Sequence, residues 1–271
     1  MTSPLVQLAL TEDIGAGDVT SRACVPADRM ATGTFLAREP LTLAGSSLIA
    51  EIYEARGGIN KLELHHADGA DLKTGTPIAT VHGRARTLLE CERTTLNFLQ
   101  HLSGIATLAR EYTTQVAHTN CRILDTRKTT PGFRQLEKAA AASGGVTNHR
   151  MGLYDAILIK NNHITAAGGV RPAITNARAS GLPVEIEVRT LAELNDALAE
   201  KADHLLLDNL TPSEAREWIA IIAGRAKVEL SGGITLETVR AYAETGADFV
   251  SVGAITHSAR AVDISFRLEW S

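Results

Sequence analysis

Two short apolar runs of this chain end in positive charge. Ile123-Leu124-Asp125-Thr126 leads into Arg127-Lys128, and Ile157-Leu158-Ile159 leads into Lys160; Arg150 lies between them in Asn148-His149-Arg150. Arginine stays charged at any working pH and grips carboxylate or phosphate through two parallel N–H bonds. Each such charge-assisted bond contributes about 1.5–3 kcal/mol. Several converging on one spot would hold a small polyanion such as a dicarboxylate or a pyrophosphate. Taken singly, each cation would read as loop surface charge. The repetition at strand ends is what points to a site.

Glu187 and Asp208 close two further runs, Val184-Glu185-Ile186-Glu187 and Leu205-Leu206-Leu207-Asp208. Acids so placed can bind Mg2+, accept sugar hydroxyls, stabilise developing positive charge, or pair with Lys160 or Arg150. Ser231-Gly232-Gly233 and Gly253-Ala254 follow two later runs. Glycines let backbone N–H groups approach a phosphate, and late loops of α/β barrels are often used so. His149 and His163 are the candidate site histidines. The others, His204 and His257 among them, show no metal-ligand spacing and are expected to be mostly surface or structural.

These groups need a scaffold that brings strand ends together. Apolar strands near residues 123, 157, 185, 205, 228 and 249 alternate with helical stretches near 133–142, 170–180, 190–201, 211–223 and 235–245. In a (β/α) barrel all strand C-termini open onto one face, and chemistry sits there. Six strands rather than the usual eight predict an incomplete barrel. Thr211-Pro212-Ser213-Glu214 and Thr235-Leu236-Glu237 read as helix starts, with a capping hydroxyl and early acids.

Ahead of the barrel, residues 1–20 suggest a short helix and turn, 31–86 a strand-rich module, and 87–117 a long helix. In that helix Leu89, Leu96, Leu99, Leu102, Ala106 and Ala109 form an apolar stripe in which Arg93 falls. The arginine either snorkels or is aimed across an interface. The expected division is 1–110 and 111–271, with the last residues, Asp263–Trp270, serving some purpose outside the barrel and candidates to return to the N-terminal domain.

The bulk composition sets limits. A chain of 271 residues, 44% hydrophobic and 21% charged, has an ordinary globular composition. A net charge of −4 argues against a general nucleic-acid binder. Its three cysteines, Cys24, Cys91 and Cys121, suggest neither a zinc site nor a disulfide framework. The first residues lack a basic region followed by an apolar run, so no signal peptide is expected. No apolar run approaches the roughly 18 residues of a membrane helix. A cytoplasmic setting is expected. No G-x-G-x-x-G follows a strand and no P-loop occurs, so dinucleotide and NTP sites are not indicated.

Longer strings are more specific. Glu12-Asp13-Ile-Gly-x-Gly-Asp18, Glu92-Arg93-Thr-x-Leu-Asn97, Thr126-Arg127-Lys128-Thr-Thr-Pro131-Gly, Asn148-His149-Arg150, Leu-Leu-Asp208-Asn209, Glu229-x-Ser231-Gly-Gly and Ser251-Val252-Gly253-Ala254-x-Thr-His-Ser resemble quinolinate phosphoribosyltransferase, across essentially the whole chain. The resemblance implies an N-terminal α/β sandwich plus an incomplete six-stranded TIM-like barrel, in a homodimer. It implies quinolinate and phosphoribosyl pyrophosphate as substrates in NAD synthesis, with Mg2+. Catalytic roles would fall to Lys128, Lys160, Glu187 and Asp208. Thr126, Arg127, His149 and Arg150 would bind substrate beside them, and Arg93 would enter the partner's site. Glu187 and Asp208 would lie near the ribose and Mg2+, and Ser231, Gly232, Gly233, Val252, Gly253 and Ala254 at the 5′-phosphate. The chain departs from the family pattern at Asn161, usually an aspartate, and at Val146, usually a glycine. Rival readings are a related protein linked to molybdenum transport, a Schiff-base aldolase using Lys160, and a non-catalytic phosphosugar-binding barrel.

Overall fold

The computed structural model describes residues 2–270. The chain forms two compact units, one comprising the chain up to Arg110, Thr130–Gly145 and the segment from Ala259 onward, the other Glu111–Thr129 and Val146–Ser258.

The first unit is built on an antiparallel sheet. Its strands are β1 (Met30–Ala37), β3 (Lys61–Leu64) and β5 (Pro77–Arg84), beside a small pair, β2 (Leu41–Thr42) with β4 (Asp71–Leu72). Alternate residues of β1 are buried, Ala31, Phe35 and Ala37 among them, the period-two pattern of a strand with one covered face. The long helix Ala85–Val116 starts in this unit and ends in the other. Its buried face runs through Leu88, Cys91, Thr95, Leu99, Leu102 and Ala106. Of the expected stripe, Leu96, Leu99, Leu102, Ala106 and Ala109 are buried; it differs in the first turn, where Leu88 rather than Leu89 takes the core position, and Arg93 is exposed.

The second unit carries the expected six strands, all parallel: β6 (Arg122–Leu124), β7 (Ile157–Ile159), β8 (Val184–Val188), β9 (His204–Asp208), β10 (Lys227–Ser231) and β11 (Phe249–Ser251). Their order, β6-β11-β10-β9-β8-β7, leaves β6 and β7 as the two edges of an incomplete barrel. Helices follow the strands, and local chemistry fixes their starts. Thr211 accepts from the Glu214 amide while the Glu214 carboxylate accepts from the Thr211 amide, with Pro212 in the first turn. The expected start at Thr235 is displaced: Thr238 Oγ1 accepts from the Thr235 amide, a turn intervenes, and the helix is only Val239–Ala243. The helix Asn161–Ala167 has no apolar period and was not expected from the sequence.

The final strand, β12 (Ile264–Trp270), pairs antiparallel with β1, which answers what the last segment does. Phe266 lies on Gly33, where a Cβ would come 2.0 Å from its ring, and packs 4.7 Å from Phe35. Only glycine admits that ring. Among the described residues no helix is long and apolar enough to cross a membrane.

Candidate active site

Parallel strands expose their C-terminal ends at one side, and there the second unit has a cavity of about 740 Å³. The end of β6 supplies Thr126, Arg127 and Lys128, and the segment after it supplies His149 and Arg150. Lys160 follows β7, Asp208 ends β9, and Ser231–Gly233 follow β10. Val252, Gly253 and Ala254 follow β11. Of the site residues singled out in the sequence, three do not line this cavity. Glu187 pairs with Lys160, His163 turns Nδ1 back to accept the Lys160 amide, and Arg93 belongs to the other unit.

Backbone anchors position the cations. Asp125, fully buried, accepts from the His149 amide at 2.8 Å and the Asn148 side chain at 2.6 Å, which joins Asn148-His149-Arg150 to the end of β6. Arg150 donates to the Ala156 carbonyl at 3.1 Å. The Asp155 carboxylate accepts the Gly152 and Met151 amides, which hold its pKa below the usual carboxylate range. Thr256 Oγ1 donates to the Lys128 carbonyl at 2.8 Å. Gly253 leaves room for the Lys128 chain, since a Cβ there would sit 2.9 Å from Lys128 Cδ.

Acids divide between two tasks. Lys160 Nζ donates to Glu187 Oε2 at 2.7 Å, and Glu187 is buried. Asp208 faces the cavity and accepts from the Asn209 side chain at 2.6 Å. Asn209 is left-handed (φ 60°), and its amide donates to the Ser231 carbonyl, which ties the end of β9 to the loop after β10. Gly232 (φ 104°) passes close to this turn: a Cβ would meet the Asn209 amide nitrogen at 2.7 Å.

Sequence reasoning missed the cavity floor. His149 Nε2 points at Glu185 Oε2 (3.1 Å) and Glu229 Oε2 (3.5 Å). Burial alone would lower the His149 pKa, but the two carboxylates outweigh it and push it up to about 9. On the other side of the ring, Nδ1 accepts the Arg150 amide at 2.7 Å, which favours the neutral ring. The imidazole is therefore drawn both ways. These three side chains bring potential ligand atoms within 4.8 Å of one another. A metal would need the ring deprotonated, whereas the flanking carboxylates favour a proton there. Asn209, Glu229 and His257 also line the cavity. Glu229 and His257 had stood in quoted motifs without an assigned role.

Residues 18–103 match the N-terminal domain of quinolinate phosphoribosyl transferase, and residues 105–267 match its C-terminal domain. A probable nicotinate-nucleotide pyrophosphorylase (carboxylating) of Bacillus subtilis is 42% identical over 257 residues, 94% of this chain and 89% of the relative. The nicotinate-nucleotide pyrophosphorylase of Mycobacterium leprae is 41% identical over 271 residues, 97% and 95% of the two chains. Among solved structures, NadC from Streptococcus pyogenes superposes with a TM-score of 0.94 at 36% identity, covering 98% of this chain and 96% of that one. The pyrophosphorylase from Francisella tularensis gives 0.92 at 38% identity, covering 98% and 95%.

Proposed function

The chain belongs to the quinolinate phosphoribosyltransferase family, and from that premise we propose that its cavity joins quinolinate to phosphoribosyl pyrophosphate, releasing nicotinate mononucleotide, pyrophosphate and CO2. The protein is thus a nicotinate-nucleotide pyrophosphorylase of NAD biosynthesis. One observation carries the residue-level reading: Arg127, Lys128, Arg150, Lys160 and the Asp208 carboxylate line a single cavity at strand ends.

Arg127, Arg150 and Lys160 grip the two quinolinate carboxylates, beside His149. Lys128 faces the pyrophosphate. Ser231–Gly233 and Val252–Ala254 take the 5′-phosphate through backbone N–H groups, with Thr126 at the cavity wall. Asp208 accepts ribose hydroxyls and stabilises positive charge developing at C1 of the ribose. The pyridine nitrogen attacks that carbon as the bond to pyrophosphate breaks. Its positive charge then lets the bond to the C2 carboxylate break, because the electron pair left on C2 sits beside N+. Much of the rate gain comes from holding two anions together in the reacting geometry.

Magnesium takes one or two carboxylates plus substrate phosphate oxygens. Asp208, the acid open to the cavity at a strand end, fits that pattern, while Glu187 is engaged with Lys160. When bound, Mg2+ would offset the charge of the departing pyrophosphate. Exposed Arg93 would complete the site of a second copy in a homodimer. The free thiols Cys24, Cys91 and Cys121 suit a reducing, cytoplasmic setting.

The test mixes protein, quinolinate, phosphoribosyl pyrophosphate and Mg2+ and measures CO2 and pyrophosphate. Equal amounts of both are expected. No CO2 at high protein concentration would reject the reading.

A further inference from the structure

The interior of the second unit holds more ionisable groups than anion binding uses. His204 is the first residue of β9, at the opposite end of that strand from Asp208. Four steps of about 3.3 Å put roughly 13 Å between them along the strand. His204, Leu206 and Asp208 share one face of β9 by strand alternation, and Leu206 and Asp208 both line the cavity. His204 therefore points into the same interior, lower down.

From there the groups form a ladder. His204 Nε2 lies 3.6 Å from Glu185 Oε1 and 3.9 Å from Glu229 Oε2. The two glutamates in turn flank His149 Nε2, at 3.1 and 3.5 Å. Glu229 is 1% exposed and lines the cavity. The His204 side chain retains 26% of its exposure, so the far end of the ladder reaches solvent. Glu185 Oε1, Glu229 Oε2 and His204 Nε2 are buried with no hydrogen-bond partner among the described residues. A purely structural network would satisfy such atoms, since burying them unpaired is costly. Atoms that accept a proton in turn cannot all be satisfied at once.

We propose that His204, Glu185, Glu229 and His149 form a proton-conducting column through the barrel, which supplies the pyridine C2 position after CO2 leaves. The proposal rests on the decarboxylating function above. Breaking the C2–carboxylate bond leaves an electron pair on C2, and CO2 departs with its own oxygens. That pair takes a proton from the Glu229–His149 end, at the cavity floor, and becomes the C–H bond. The floor, one proton short, draws from Glu185 and then from His204, and water at the far end restores the His204 proton. The opposed demands on His149, carboxylates on one nitrogen and the Arg150 amide on the other, suit a group that takes and gives a proton in each cycle. Burial raises the Glu229 pKa above the ordinary carboxylate value, which eases its taking up a proton in turn.

The column must also run backward, so the test follows the C2 hydrogen of nicotinate mononucleotide in D2O by NMR, with the full chain and the nucleotide alone. Wild-type protein should exchange C2–H selectively over the other ring hydrogens. His204→Leu should slow exchange by about 10²-fold, within the usual range for a lost acid–base relay, with nucleotide affinity unchanged. Added imidazole should restore exchange to His204→Ala, a rescue that a structural role would not give. Glu229→Gln should also slow exchange, and it keeps the test open should the His204 variants fold poorly. Exchange at the wild-type rate in these variants, or no C2 exchange in a wild-type protein that makes CO2, would overturn the column alone. Failure of wild-type protein to release CO2 from quinolinate and phosphoribosyl pyrophosphate would instead reject the function on which it rests.

Discussion

Lys160 Nζ and Glu187 Oε2 stand 2.7 Å apart, a pair made by residues at the ends of adjacent strands β7 and β8. Glu187 is buried while Lys160 is about half exposed, so the acid is the fixed member and the lysine is aimed by it. Glu187→Gln should lower kcat/KM by roughly 10–100-fold, the equivalent of one charge-assisted hydrogen bond. Lys160→Met should lower it further, because the proposed substrate contact is lost as well. A Glu187→Gln enzyme with wild-type kcat/KM would show that the pair does not position the lysine.

The His149 environment makes stability pH-dependent. Its folded pKa, about 9, lies above the ordinary 6.5. The stabilisation is therefore complete below about pH 6.5 and is lost as pH rises through about 9. The thermal midpoint should fall over that window, and His149→Gln should flatten the fall. Equal slopes for the two proteins would contradict the assignment.

Gly232 and Gly233 are adjacent, but only one is crowded. At Gly232 a Cβ would strike Asn209; at Gly233 (φ 60°) nothing lies within 4 Å. Gly232→Ala should cost about 1–3 kcal/mol through strain at an unfavourable φ and should raise KM for phosphoribosyl pyrophosphate. Gly233→Asn should cost below about 1 kcal/mol, since asparagine tolerates the left-handed region. Denaturation midpoints and KM values for the two variants test this; a reversed order would refute it.

Arg93 offers a test of site sharing. Arg93→Ala chains and Lys160→Ala chains should each be weakly active. After subunit exchange, a mixture should regain about a quarter of wild-type activity, as random pairing in a twofold dimer gives one intact site in half of the dimers. No recovery after demonstrated exchange would exclude a shared site.

Much of the site could be read from the chain because parallel strands concentrate polar residues at their C-terminal ends. Arg127, Lys160, Asp208 and Ser231 were found that way, and all line the cavity. The floor was missed for the opposite reason. Glu185 and Glu229 lie within their strands, where an acid breaks the apolar run without marking an end. A signal was present: in Val184-Glu185-Ile186-Glu187-Val188 the two acids share one face of a buried strand, so they must point inward together. His204 had no spacing partner, since its neighbours come from other strands through the register. The helix Asn161–Ala167 was hidden because caps hold it: His163 Nδ1 accepts the Lys160 amide, and Gly168 ends it in a left-handed turn.

The pairing of β12 with β1 binds the tail of the chain to its head. A ribosome delivers the first strand long before the last. Until Phe266 arrives to cover Gly33, the sheet at the start of the protein has an open edge and a hollow beside Phe35. The unit whose strands emerge first is thus finished only after the whole barrel has been made, so its maturation waits on the synthesis of its neighbour.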